Sequence, residues 1–251
     1  MLYIRKEPCP KDIEKQISEI IASKEWEAVP DPAERTLTEP QRKAAVDSLR
    51  GFFDSLDKDA IRKALLKEQH GLCAYCMKRI DVKGSSIEHW KPQNPDTESA
   101  ADIKESLDYR NMLCVWDGSR GRNFAAQTCD AHKGNTQIKA NPQDEYTIDH
   151  IKYRSDGTIY SDDQDIDHDL NEVLNLNSEA SFLKQGRAEL ISALQKKMRY
   201  LHTDTNQFLK AIKKKYETVD AEGKRPQYAG TMLYFVNKYQ QKMNTARASS
   251  K

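Results

Sequence analysis

The spacing of its cysteines constrains this chain more than any other feature. Four of the five fall in one stretch, Cys73 to Gly134. Cys73-Ala74-Tyr75-Cys76 opens it as a C-x-x-C pair, Cys114 follows, and Cys129 begins the closing run Cys129-Asp130-Ala131-His132-Lys133-Gly134. A tight turn brings both sulfurs of a C-x-x-C pair to one side, so both reach one metal ion. A tetrahedral zinc then needs two more ligands. Cys114 and Cys129 are the candidates, and His132, at C-x-x-H spacing from Cys129, competes for one of the two places. An odd number of clustered cysteines favours thiolate–metal ligation over a disulfide framework. A thioredoxin-type redox pair would follow a strand and start a helix; this pair follows an expected helix end and has two later cysteines beside it. Cys9, between Pro8 and Pro10, reads as a small half-buried thiol.

At 251 residues the chain can bury one sizeable core or split into two modest domains. Its formal net charge of +1 excludes a grossly basic protein that holds nucleic acid by bulk attraction, while leaving room for a local basic groove. No window is long and apolar enough to span a bilayer, and the N-terminus lacks a signal-peptide core. A cytoplasmic protein with no membrane partner is expected.

Residues 1–70 read as an N-terminal helical lobe. Ile13, Ile17, Ile20 and Ile21 recur at helical spacing after Pro10. Residues 29 to 37 read as a loop, Thr38 caps the next helix with Pro40 in its first turn, and a further helix starts near Asp57 and stops at Gly71. Residues 71–160 form the central unit, ending in an expected hairpin from Tyr146 to Tyr160 around Ser155-Asp156-Gly157. Asp162 to Asp169 lacks the Gly and closing Glu of a calcium loop and reads as a solvated turn. The rest of 161–251 is a C-terminal helical region: a long helix capped by Asn177 or Ser178, one around Phe208 to Tyr216, and one from Tyr228 to Met243. The fold class expected is α+β, mainly helical.

Between the cysteines lie Ile87-Glu88-His89-Trp90-Lys91-Pro92 and Tyr109-Arg110-Asn111-Met112-Leu113. These residue types suit phosphodiester hydrolysis, which needs an activated water and positive charge on the scissile phosphate and leaving oxygen. His89 can take a proton near neutral pH. Glu88 and Asp130 are hard oxygen ligands for a divalent cation. On a regular strand Glu88 and His89 point to opposite faces, so a bulge or strand end is expected there. Asn111 can bond a histidine ring nitrogen or backbone, and Lys133 can meet a phosphate. Singly each residue is ordinary: a satisfied structural histidine, a turn cap, a solvated lysine.

In their joint order these residues resemble the HNH endonuclease superfamily, and more closely the PtuB-type nuclease subunits of Septu antiphage systems, found also with some retrons. The resemblance rests on Cys73-Ala74-Tyr75-Cys76, Ile87-Glu88-His89, Tyr109-Arg110-Asn111-Met112-Leu113, Cys129-Asp130-Ala131-His132-Lys133-Gly134, Asn141-Pro142 and the Tyr153 to Tyr160 hairpin. It covers Cys73 to Tyr160 and the flanking helices only in general character. It implies a zinc-stabilised ββα-metal core flanked by helices, with structural Zn2+ and catalytic Mg2+ or Mn2+. His89 would be the general base, Asn111 its orienting partner, and Glu88 and Asp130 the metal-binding carboxylates. It also implies a nucleic acid substrate, DNA or RNA, and a PtuA-like ATPase partner in antiphage defence; the chain has no Gly-rich phosphate loop of its own. Two departures stand out: Asp130 replaces a His or Asn, and Val115 to Thr128, with Trp116, Arg120, Arg122 and Phe124, is a long excursion between the last two cysteines. The alternative reading is a zinc-dependent adaptor that binds nucleic acid or protein without cutting, which would not need Glu88, His89, Asn111 and Asp130 together.

Overall fold

The apolar positions of the N-terminal lobe settle onto helices. In the computed structural model, which describes residues 1–32, 34, 36–93, 103–117, 120–201 and 204–249, Ile13 is buried on α1 (Lys11–Ile21) and a short α2 (Lys24–Glu27) is capped by the Ser23 hydroxyl. Helix α3 (Glu39–Ser55) begins with a capping box between Thr38 and Gln41 and buries Ala45, Leu49 and Phe53. Helix α4 (Lys58–Glu68) is capped by the Asp57 carboxylate and buries Ile61 and Leu65 completely. It stops at Gly71, whose φ of +71° suits glycine and whose N–H bonds the Leu66 carbonyl at 2.8 Å. The chain thus turns straight into the C-x-x-C segment, closed by a bridge between Leu72 and Arg79.

Two small antiparallel sheets follow. Strand β1 (Ser85–His89) pairs with β2 (Met112–Trp116), with Glu88 opposite Leu113 and His89 opposite Met112. Helix α4 packs across both strands. Strands β3 (Ile151–Tyr153) and β4 (Ile159–Ser161) form the expected hairpin. Its turn needs Gly157, where φ is +84° and an added Cβ would come within 2.1 Å of the Lys184 carbonyl oxygen. Between the sheets lie α5 (Asp130–Lys133) and α6 (Glu145–His150). Residues 146–150, read from sequence as part of the hairpin, lie in this helix because Asp144 caps the amides of Tyr146 and Thr147.

The acidic run after β4 is not a solvated turn. Asp163 accepts from the amides of Asp165 and Ile166 and starts α7 (Gln164–His168), which buries Ile166 and runs into a π turn at Asp169–Val173. The long helix α8 (Leu183–Arg199) begins later than Asn177 or Ser178, because Phe182 takes a left-handed conformation first. Asn177 pairs instead with the main chain of Ile159, accepting its N–H at 3.0 Å and donating to its carbonyl at 2.8 Å. Helices α9 (Thr205–Glu217) and α10 (Ala229–Ser249) complete the chain, with α10 against α8, α9 and β3. The architecture is α+β and mainly helical. One contiguous apolar core runs from Ile13 and Leu65 through Tyr75 and Leu113 to Ile159, Leu194 and Val236. Among the described residues no helix is long and apolar enough to cross a membrane.

Candidate metal centre and carboxylate site

The turn after α4 folds Cys73 and Cys76 onto one side, with the Cys73 N–H bonded to Lys78 O at 2.9 Å and the Met77 N–H to Cys73 O at 3.0 Å. Cys129 reaches them from the other end of the stretch, at a φ of +56°. The three sulfurs lie within 4.8 Å of one another and all three residues are buried. Cys73 and Cys129 are 3.8 Å apart at sulfur. Tetrahedral zinc, with bonds of about 2.3 Å to sulfur, sets its thiolates about 3.8 Å apart, so the donor set and its spacing fit a structural zinc. Burial alone would keep Cys73 protonated. Donation from the Cys129 and Cys76 thiols and from the Cys76 and Trp116 main chain instead holds it well below the usual thiol range.

Cys114 is not part of this cluster, contrary to the four-cysteine expectation. It sits in mid-β2, where its N–H donates to Gln69 Oε1 at 2.7 Å and its carbonyl accepts from Ala74 N at 3.0 Å. Within β2 it is the Trp116 main chain that hydrogen-bonds the Cys73 thiolate. Burial pushes the Cys114 thiol up to about 12. His132 does not replace it. Its Nδ1 lies 2.9 Å from Val173 O and its ring stacks on Phe124, centroid to centroid 4.0 Å. Three ligands, not four, are assembled among the described residues.

Asp130 lies one residue beyond the cysteine cluster. Cys129 ends its turn by starting α5, so Asp130 occupies the first turn of that helix and meets Glu88 from β1. The two carboxyl groups lie close enough to act on each other electrostatically. Glu88 Oε1 also accepts from Tyr75 Oη at 3.0 Å and lies 2.8 Å from Lys133 Nζ. Burial pushes the Glu88 carboxyl up to about 8; Asp130 adds to this and Lys133 opposes it. Lys133 on Glu88 and Arg120 on Asp130 supply the positive charge that two carboxylates so placed need, and two hard oxygen donors of this kind are what a divalent cation takes. Asp130 Oδ2 is capped on its outer side by Arg120, which also donates from Nε to Asp117 Oδ1 at 2.9 Å.

His89 closes the strand without a bulge. Its Nε2 is 2.9 Å from Ser106 O. A carbonyl only accepts, so Nε2 carries the proton and Nδ1 the lone pair. The ring stands edge-on to Phe53 at 4.6 Å, and burial lowers its pKa to about 4. Asn111 does not touch the imidazole. Its Oδ1 accepts from Lys91 N at 2.8 Å and its Nδ2 donates to Lys91 O at 3.0 Å and Glu105 O at 3.3 Å, clamping the chain just past His89 to the segment that supplies Ser106. Lys133 departs from the sequence expectation of a phosphate contact. Its ammonium is enclosed, donating to His89 O at 3.2 Å besides pairing with Glu88. Tyr75 and Ser106 were not singled out from sequence; Tyr75 carries a weak signal, as an aromatic hydroxyl inside a metal turn, and Ser106 acts through its main chain and carries none. Of the excursion, Trp116 belongs to β2 and packs under Lys78 Nζ at 3.7 Å, while Phe124 is 65% exposed.

The fold and site define an α+β protein with a buried three-cysteine cluster able to hold a metal ion, set beside a paired carboxylate. No family model and no curated protein matches the chain.

Proposed function

We propose that the chain is a metal-dependent endonuclease of the HNH type that hydrolyses phosphodiester bonds of DNA, with RNA as the other candidate substrate. The observation that carries this reading is the Glu88–Asp130 carboxylate contact, with His89, a neutral imidazole, next to Glu88 on β1. An adaptor has no use for Glu88, a carboxylate buried at a desolvation cost beside a second carboxylate.

Glu88 and Asp130 would hold a magnesium or manganese ion, which when bound would supply positive charge to the scissile phosphate and leaving oxygen. The chain's own residues do the rest. His89 Nδ1 takes the proton of the attacking water, while the Ser106 carbonyl fixes the tautomer and steadies the imidazolium that forms. Asn111 is a positioning residue: it holds Lys91, two residues after His89, and Glu105, one before Ser106. Tyr75 and Lys133 fix the Glu88 carboxylate. The resemblance adds a role as effector in antiphage defence under an ATPase partner, which would supply any nucleotide dependence.

The test is nicking of supercoiled plasmid, with a total-RNA lane in parallel, in magnesium or manganese, with and without a co-purified partner. Zinc-loaded wild type should cut and His89→Ala should not. Equal cutting by the two would remove His89 as the base. No cutting by either, with partner present, would put the adaptor reading in its place.

A further inference from the structure

Four charged side chains meet at the carboxylate site. Glu88 and Asp130 are neutralised from opposite sides, by Lys133 within and Arg120 without. The two cations are not equivalent. The Lys133 side chain has no exposure and is held by a second bond to His89 O. Arg120 is 56% exposed, lies on the excursion between Val115 and Thr128, and has a second carboxylate, Asp117, to fall back on.

We infer that Arg120 is an exchangeable counter-ion of the candidate metal site, which a divalent cation must displace from Asp130 to bind. The inference rests on the reading of Glu88 and Asp130 as metal ligands. The reason is charge: with both cations in place the carboxylate pair is already balanced, so a dication adds two uncompensated charges unless one cation leaves. Only Arg120 can leave without opening the core. Asp117 determines how readily it does so, by offering the guanidinium an alternative seat three residues away. The excursion thereby sets the metal concentration at which the site loads.

The test is titration of the full-length, zinc-loaded protein with Mn2+, free Mn2+ being counted by electron paramagnetic resonance. Arg120→Gln should bind Mn2+ about fivefold more tightly, the upper end for an exposed ion pair. Asp117→Asn should bind it more weakly than wild type, because Arg120 then has Asp130 alone. Asp130→Asn should lose the binding. Zinc content and the far-UV circular dichroism spectrum check that each variant is folded. If Arg120→Gln binds Mn2+ no tighter than wild type while Asp130→Asn loses it, the exchange is overturned and the carboxylate reading stands. If Asp130→Asn binds Mn2+ as wild type does, the carboxylate reading itself fails, and the exchange with it.

Discussion

Lys133 Nζ lies 2.8 Å from Glu88 Oε1, and neither side chain is more than 4% exposed. A buried pair of this kind is costly to break from one side, because the remaining charge is stranded. Lys133→Met should destabilise the protein by about 3–5 kcal/mol in urea unfolding. Glu88→Gln/Lys133→Met should recover part of that loss. A Lys133→Met protein as stable as wild type would show that the pair does not hold the core.

Zinc stoichiometry separates the cysteines. Cys73→Ala should abolish zinc binding and much of the cooperative unfolding transition, since a zinc ion held by the three cysteines would tie the α4 turn to α5. Cys114→Ala should retain one zinc per chain and cost only about 1 kcal/mol, an ordinary core change. Chelation should reproduce the Cys73→Ala phenotype in the wild type. A zinc-free Cys114→Ala protein would restore Cys114 to the coordination sphere.

His89 and Asn111 should fail in different ways. His89→Ala should lower plasmid nicking by about 10²–10⁴-fold, the usual worth of a general base. Asn111→Ala leaves the Lys91 N–H and two carbonyls without their partner, so it should cost about 1–3 kcal/mol of stability per stranded group as well as rate. Matched urea melts and nicking rates resolve the two.

The pH dependence of His89 has a definite sign. Burial lowers its pKa from the ordinary 6.5 to about 4 in the folded chain, with Lys133 and Lys58 pushing the same way and Asp130 and the Ser106 carbonyl opposing. The unfolded chain therefore binds the proton first as pH falls. The stability that His89 contributes is full above pH 6.5 and is lost between 6.5 and about 4. In the metal-free, zinc-loaded protein the His89 imidazole resonances should not titrate between pH 7 and 5. A midpoint near 6.5 would mean that the ring is solvated and not held against Phe53.

The helices of the flanks are legible in the sequence because their signals are local. Thr38, Asp57 and Gly71 mark helix ends through their own side chains or backbone freedom. Asp163 is as good a cap, yet its five-residue helix is too short to show a periodicity, and the acidic run around it masks Ile166. Phe182 misled in the opposite sense: a left-handed aromatic leaves no mark in a sequence, and the helix that seems to run on from Asn177 is interrupted there.

By itself the sequence marked Cys73, Cys76 and Cys129 among four cysteines proposed for one site, and put Glu88 and Asp130 forward as a carboxylate pair. Short spacings and strand alternation are properties of the chain alone. Only the tertiary structure decided that Cys114 stays out, that Asn111 grips backbone and not imidazole, that Lys133 is enclosed, and that Arg120 covers Asp130. Each of those depends on which face of β2, α5 or the excursion meets a neighbour distant in sequence, and packing, not local pattern, selects that face.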